Sequence, residues 1–292
     1  MILVDFSGTI HAAVAVALKE SCSTTTDIGY LRHLILSQLH SLKVKYGEKY
    51  GELVICLDSP HCWRKDVFPY YKAKRAESRK ASEIDWNTIF GHINTIIQEF
   101  KENLPYRIIA IPELEGDDII AILSKKAEEL TETNILGEMK YPVLIVSNDK
   151  DMKQLHQLNY VKQYTPRSGL ISKEKDASRY LTELVLKGDT ADGVPNIRSE
   201  DDTFLVQGKR QKPVTQKYIK EFLENGKYSL SSDDLKRYER NIQLISFDSI
   251  PHKYFEQVIA EYNKPVSNSK MKIFKYFASV GLNKMLDVVN DF

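Results

Sequence analysis

Four short apolar runs, at residues 2–6, 53–57, 107–111 and 143–146, are each rich in Val or Ile. Their length and β-branched content suit strands buried on both faces. Between them apolar positions recur at helical spacing over residues 28–46, 86–104 and 117–130. Strands alternating with helices predict a parallel sheet with right-handed crossovers covering both faces. Past about residue 172 the pattern changes, predicting helices over residues 175–186, 216–224, 232–245, 252–262 and 270–290. The expected fold is α/β: a central, mainly parallel sheet flanked by helices, with a mostly helical C-terminal subdomain. The expected division is 1–185 and 186–292. Residues 70–85 are strongly basic with few large aliphatics and are expected to lack fixed structure without substrate.

Composition narrows the function classes. Lys and Arg total 41 against 40 for Asp and Glu, so any nucleic-acid surface must come from local segregation of charge. Three cysteines, Cys22, Cys56 and Cys62, show no regular spacing and suit a reducing, intracellular compartment better than a disulfide framework. The start Met1-Ile2-Leu3-Val4-Asp5 has no basic segment before its apolar run, unlike a signal peptide. No apolar stretch approaches the roughly 20 residues that cross a bilayer. His61-Cys62 lacks partners at zinc-ligand spacing, and no GxxxxGK[ST] run is present, so neither zinc nor nucleotide fuel is expected.

The main chemical signal is acidic. Asp5 closes the first predicted strand, Asp58 the second, Glu115, Asp117 and Asp118 follow the third, and Asp149 and Asp151 follow the fourth. In an open parallel sheet these ends face one crevice, so the carboxylates converge. Their repulsion in a low-dielectric cleft would cost several kcal/mol, by an order-of-magnitude Coulomb argument, unless protons or cations neutralise them. Oxygen ligands without His or Cys select hard ions such as magnesium. Singly, each Asp is better explained by a turn or a helix start than by metal. Recurrence at four successive strand ends favours metal, since turn formation does not require it. Asp189 and Asp192 lie on a predicted turn after a helix and alone point only to turn chemistry.

These motifs resemble the flap-endonuclease and 5′-exonuclease family along nearly the whole chain. The runs that carry the likeness are Leu3-Val4-Asp5, Cys56-Leu57-Asp58-Ser59-Pro60 with Trp63-Arg64, Tyr70-Tyr71-Lys72, Glu115-Gly116-Asp117-Asp118, Ser147-Asn148-Asp149-Lys150-Asp151 and Leu186-Lys187-Gly188-Asp189. Residues 238–247 and 273–286 narrow the likeness to phage members. The resemblance implies that Asp5, Asp58, Asp117, Asp149 and Asp151 surround a first, catalytic magnesium, supported by Glu115 and Asp118. It implies that Asp189 and Asp192 serve a second ion, and that Mn2+ can substitute for Mg2+. The stretch Tyr70-Tyr71-Lys72-Ala73-Lys74-Arg75 becomes an arch over the site, where aromatics stack on unpaired bases and cations meet phosphates. Tyr71 and Lys72 are then expected to position substrate, with Lys72 and Arg64 near the scissile phosphate. Residues 186–196 resemble the family's helix-turn-helix variant that grips duplex backbone, placing Lys187 and Arg198 there. Val194-Pro195-Asn196 departs from the glycine-rich form of that motif, which puts a monovalent-cation site in doubt. Lys209 and Arg210 belong to a basic loop that either bears on phosphates or is simply exposed.

The implied activity is magnesium-dependent 5′-to-3′ exonuclease and flap cleavage, removing RNA primers and adjacent DNA in lagging-strand replication within a bacterial host. The implied substrates are DNA and RNA-DNA hybrids with 5′ ends, flaps or forks. The implied protein partners of this monomer are a single-stranded-DNA-binding protein at the C-terminal helices and a sliding clamp. Two other readings stand beside it. One is a small acidic ribonuclease of the PIN type with an unrelated helical extension, distinguished by whether residues 186–196 are needed to cut 5′-ended duplexes. The other is a noncatalytic DNA-structure binder, which the intact acidic set opposes.

Overall fold

The computed structural model describes residues 1–21, 23–130, 140–266 and 269–292, with only the backbone of 76–78 and 80. Strand β1 (Ile2–Asp5) leads into α1 (Phe6–Ser21), then α2 (Ile28–Tyr50) and β2 (Leu53–Cys56). A short α3 (Arg64–Val67) and α4 (Ala73–Lys80) precede α5 (Trp86–Asn103), β3 (Arg107–Ile109), α6 (Gly116–Leu130) and β4 (Val143–Val146). A 3-10 turn at Asp151–Gln157 leads to β5 (Val161–Thr165) and β6 (Leu170–Ser172). The remaining α-helices are α7 (Ala177–Lys187), α8 (Gln216–Asn225), α9 (Ser232–Ile245), α10 (Lys253–Tyr262), α11 (Lys270–Ser279) and α12 (Asn283–Leu286).

Helix boundaries follow local chemistry. Asp27 caps α2 by accepting from the Tyr30 amide at 2.7 Å, and Asp85 and Asp176 do the same for α5 and α7. At the other end of α2 the chain turns at Gly51, whose φ of 83° suits glycine. The sheet order is β3-β2-β1-β4-β5-β6, with the first five strands parallel and β6 antiparallel. Val4 pairs with Ile55 on one side and Val146 on the other. Strand order therefore reverses between β1 and β4, and the crevice at their carboxyl ends is the switch point where α/β sheets bind ligands.

Alternate side chains divide the sheet between two cores. Leu3, Cys56, Ile109 and Ile145 pack with α6 and with Leu244, Tyr254 and Val258 of the C-terminal region. On the other face Ile2, Val4, Ile55 and Leu144 pack with α1, α2, α5 and with Ile273 and Phe277 of α11. The C-terminal helices thus cover both faces, and a smaller cluster of Leu186, Ile197, Ile219 and Phe222 underlies α8.

Three differences from the sequence reading have physical causes. The segment 6–21, almost uniformly apolar or small, shows little helical contrast in sequence but forms α1, burying Phe6, Ala13, Val14 and Ala17. Strands β5 and β6 extend the sheet; β5 is only partly buried and β6 fully exposed, so neither carries a continuous apolar run. The C-terminal helix expected over residues 270–290 breaks at Gly281, with φ of 74°, into α11 and α12. The backbone of the basic stretch is helical over Ala73–Lys80.

Candidate active site

Side chains gather at the switch point as their strand-end positions require. Asp5 is held by two donors, the Ser147 hydroxyl at 2.7 Å and the Gly8 amide at 3.1 Å. Asp58 accepts from Ser7 at 2.6 Å and from the Gly116 amide at 2.7 Å, which ties β2 to the start of α6. Asp149 accepts from the Asp151 amide at 2.8 Å. Ser7 and Ser147 orient the acids but were not selected in the sequence reading, although each stands within two residues of one of them.

The electrostatics divide the acids into two groups. Burial pushes the Asp117 carboxyl well up, and Asp5, Asp149 and Asp58 push it further. Asp5 is raised by burial, against its two donors, with Asp58 and Asp149 adding to the rise. Burial raises Asp189, with Asp192 adding to it. Asp151 is pushed up to about 8 by burial and by Asp149, Asp189 and Asp192. These acids, rising from four strand ends and one turn, lack enough positive charge. Glu115, Asp118 and Asp192 form the other group. Burial pushes Glu115 up, but Lys72 at 2.5 Å and Arg64 at 3.0 Å outweigh it and hold it at about 2. Asp118 is fully buried in a two-pronged pair with Arg64, at 2.7 and 2.9 Å, and accepts from the Trp63 indole at 3.2 Å. Asp192 receives the Tyr71 hydroxyl at 2.8 Å and Arg75 at 2.6 Å.

The first group fits a hard divalent cation: its donors are oxygens alone, and its raised carboxyls need positive charge to stay ionised. Asp117, Asp151, Asp189 and Asp192 also line one recess of about 20 Å³, which they share with Arg64, Tyr71, Glu115 and the apolar Leu244, Ile245 and Phe247. A second ion at Asp189 and Asp192 would compete with Arg75 and Tyr71 for Asp192. Ligand atoms of Cys62, Glu115 and Asp118 also lie within 4.8 Å of one another. Arg64 fills that cluster, with a nitrogen 3.9 Å from the Cys62 sulfur, so the positive charge there is a guanidinium.

Two family patterns span the chain: "5′-3′ exonuclease, N-terminal resolvase-like domain" over residues 1–183 and "T4 RNase H, C terminal" over 177–292. The chain is 30% identical to Ribonuclease H of Enterobacteria phage T4, covering 99% of this chain and 95% of that one. The chain belongs to the 5′-3′ exonuclease and flap-endonuclease family. It is a nuclease, a phosphodiester hydrolase. A 5′-3′ exonuclease of Buchnera aphidicola (Baizongia pistaciae strain) is 27% identical over 67% of this chain and 61% of its own. Among solved structures, the phage T5 protein co-crystallised with metal ions superposes with a TM-score of 0.57, at 16% identity over 96% of this chain and 98% of that one. The phage T5 flap endonuclease in a pseudo-enzyme-product complex with DNA and metal ions also gives 0.57, over 96% and 97%. These superpositions share the fold described above.

Within the nuclease, the basic residues take more varied places than their sequence suggests. Lys72 sits at the site, and its backbone, at φ 56°, donates to the Asp192 carbonyl at 2.8 Å. The Tyr71 ring is only 4% exposed and its hydroxyl bridges Glu115 and Asp192, which braces the acids. Tyr70, 38% exposed, is the aromatic that faces solvent there. Arg64 is 3% exposed, pairs with Asp118 and Glu115, donates to the Leu244 carbonyl, and lines a recess with Asp117, Asp151 and Asp189. Lys74 lies 5.7 Å from the Phe204 ring centroid, linking α4 to the loop beyond the turn. Gly188 is required in that turn: at φ 67°, a Cβ would stand 2.4 Å from the Val194 carbonyl oxygen. Lys187 pairs with Glu183 at 2.7 Å, Lys209 with Glu200 and Asp202 at 2.5 Å, and Arg198 donates to the Pro213 carbonyl at 2.8 Å. Arg210 is exposed. Tyr180 was missed in sequence, yet its hydroxyl is raised by burial and by Asp151, Asp149 and Asp189.

The raised acids make a pH prediction. The Asp151 carboxyl moves from its usual 3.8 to about 8, so folded protein keeps a proton that unfolded chain releases. Stability from that proton is complete below the lower value and is lost as pH rises through the upper one. The Met1 amine, lowered to about 5 by burial, and His156, lowered to about 4 by burial, act in the opposite sense over part of this range. The expected signature is therefore a difference: without divalent ions, wild type loses thermal stability relative to Asp151→Asn between about pH 5 and pH 8. Melting curves across that range check it; parallel curves for the two proteins would contradict it.

Proposed function

We propose that this nuclease removes RNA primers and adjacent DNA from 5′ ends in lagging-strand replication, acting 5′ to 3′ as exonuclease and flap endonuclease with Mg2+, for which Mn2+ substitutes. The observation that carries the reading is the set of under-compensated acids Asp5, Asp117 and Asp151 at the switch point, beside the Lys72 ammonium. Asp5, Asp58, Asp117, Asp149 and Asp151 would hold the first ion, and Asp189 with Asp192 the second. Bound there, divalent cations polarise a phosphate and lower the pKa of water. Ser147 and Ser7 hold Asp5 and Asp58 in orientation through their hydrogen bonds. Lys72, kept protonated by Asp192 and Glu115 although burial opposes it, offers a fixed positive charge to the strand being cut.

The phage T4 relative is named Ribonuclease H, and a phage T5 structure holds DNA and metal ions, which support RNA-DNA hybrid and DNA substrates with 5′ ends, flaps or forks. No helix among the described residues is long and apolar enough to cross a membrane, and action inside the bacterial host cell, as a monomer, is part of the proposal. A single-stranded-DNA-binding protein is proposed to engage the C-terminal helices, where Met271 and Phe274 of α11 are exposed, with a sliding clamp as a further partner. Lack of enrichment in a pull-down would count against each contact. Cleavage of matched 5′-labelled RNA-primed and all-DNA flapped duplexes tests the substrate claim. Release of the RNA segment followed by adjacent deoxynucleotides is expected, and failure to cut the RNA-primed strand overturns it. Lys72→Ala is expected to slow single-turnover cleavage about a hundredfold, the size of losing one preorganised donor, with magnesium affinity retained. An unchanged rate would remove Lys72 from the mechanism.

A further inference from the structure

The switch point opens onto a second space that the acids do not explain. Beside Asp5 and Ser147 a recess of about 20 Å³ reaches Thr9, Gln38 and Asn148. Through the shared residues Thr9, Gln38, Val146 and Pro166 it continues into a cleft of about 310 Å³. This cleft lies between α1, α2 and the carboxyl ends of β4 and β5, and its volume falls at the lower end of the range for small-molecule sites, about 300 Å³.

Its lining is of two kinds. Leu34, Leu42, Val146 and Pro166 are apolar, and Tyr164 presents an aromatic ring. Ser37, Gln38 and Ser41 are polar, and their side chains make no hydrogen bond with other described residues. The free amide of Gln38 offers both donors and an acceptor. A positive charge stands near the Tyr164 ring, outside the cleft lining: the Lys45 nitrogen lies 5.5 Å from the Tyr164 centroid and 5.2 Å from that of Tyr46. Apart from Asp5 in the connecting recess, no acid lines either space, so neither is a cation site.

An aromatic ring for stacking, aliphatic walls, an unpaired amide and a nearby cation suit a nucleotide, whose base has a π-face and a hydrogen-bonding edge and whose sugar carries a phosphate. The recess joins this space to Asp5, which makes the strand being cut its natural source. We propose that the cleft is a nucleobase subsite, seating the unpaired base of the nucleotide next to the scissile phosphate against Tyr164, with its polar edge toward Gln38. The subsite would make the enzyme sensitive to the presence of a base at one position. It also gives the substrate strand a register independent of phosphate contacts. The inference rests on the nuclease reading above.

The test is single-turnover cleavage, with magnesium, of a 5′-labelled flapped duplex carrying either a base or an abasic residue next to the scissile phosphate. Wild type is compared with Ser37→Trp, which fills the cleft, and Gln38→Leu, which keeps the volume but removes the amide. Wild type should cut the abasic substrate about tenfold more slowly, as the loss of one stacked base predicts. Ser37→Trp, verified as folded by its melting curve, should cut both substrates at the slower rate. Gln38→Leu should still require a base but discriminate less among the four. Equal wild-type rates on the two substrates would overturn the subsite, as would undiminished base dependence in Ser37→Trp. Failure of wild type to cut the base-bearing flap would overturn the nuclease reading, and the subsite with it.

Discussion

Asp117→Asn is expected to lose cleavage and to gain stability in the same protein. Asp117 accepts no hydrogen bond from the described residues, and burial together with Asp5, Asp149 and Asp58 drives its carboxyl upward. An ionised group so placed opposes folding at neutral pH, and its amide isostere does not. The melting temperature of the metal-free variant should therefore exceed that of wild type at pH 7. Turnover should fall about a thousandfold, corresponding to roughly 4 kcal/mol of lost transition-state stabilisation if a cation is displaced from its site. Calorimetry and single-turnover cleavage on one preparation measure both effects. A variant less stable than wild type would show that Asp117 has a structural role, and an undiminished rate would remove it from the catalytic site.

Arg64→Ala should act in the opposite sense on stability. Its guanidinium is buried, with side-chain exposure of 4% for Arg64 and 0% for Asp118, and it also reaches Glu115 and the Leu244 carbonyl. Removing one member of a buried pair leaves the other charge without a partner, at a cost of about 3–5 kcal/mol. Urea unfolding at pH 7 should register that loss. Arg64→Lys should recover only part of it, since an ammonium cannot reproduce the planar two-pronged contact. The damage should spread into catalysis, because Glu115 accepts from both Tyr71 and Lys72, and Arg64 helps hold Glu115 ionised. A loss below about 1 kcal/mol would place the pair among exposed ion pairs of little consequence.

These two substitutions show what the sequence conveys and what it does not. Both residues stand in short motifs with polar character, and sequence alone placed both in the catalytic set. Asp117 is under-compensated and Arg64 is spent on Asp118, a distinction set by three-dimensional neighbours 54 positions apart in the chain. The parallel core was legible because β1, β2 and β4 are buried on both faces and read as unbroken apolar runs. Strands β5 and β6 were not, since partial or complete exposure removes that signature. Helix α1 hid for the opposite reason: Phe6–Ser21 is so largely apolar or small that its buried face has little contrast. Convergence of the acids followed from strand direction alone. The burial of Tyr71 did not, because adjacent tyrosines at 70 and 71 look equivalent until Phe68 and the core beneath them are in place. The nucleobase cleft was equally invisible, since it joins residues of α1, α2 and the ends of β4 and β5.

The central claim is that acids gathered at the switch point hold the cation that cuts 5′-ended strands. Its most direct test is cleavage of a 5′-labelled flapped duplex by wild type and Asp117→Asn, each with magnesium and with chelator, after both proteins are shown to be folded. The account predicts short 5′ products from wild type with magnesium alone, and release slowed about a thousandfold in the variant with magnesium. Tight binding without cleavage by wild type in magnesium, or equal cleavage in chelator, would contradict it.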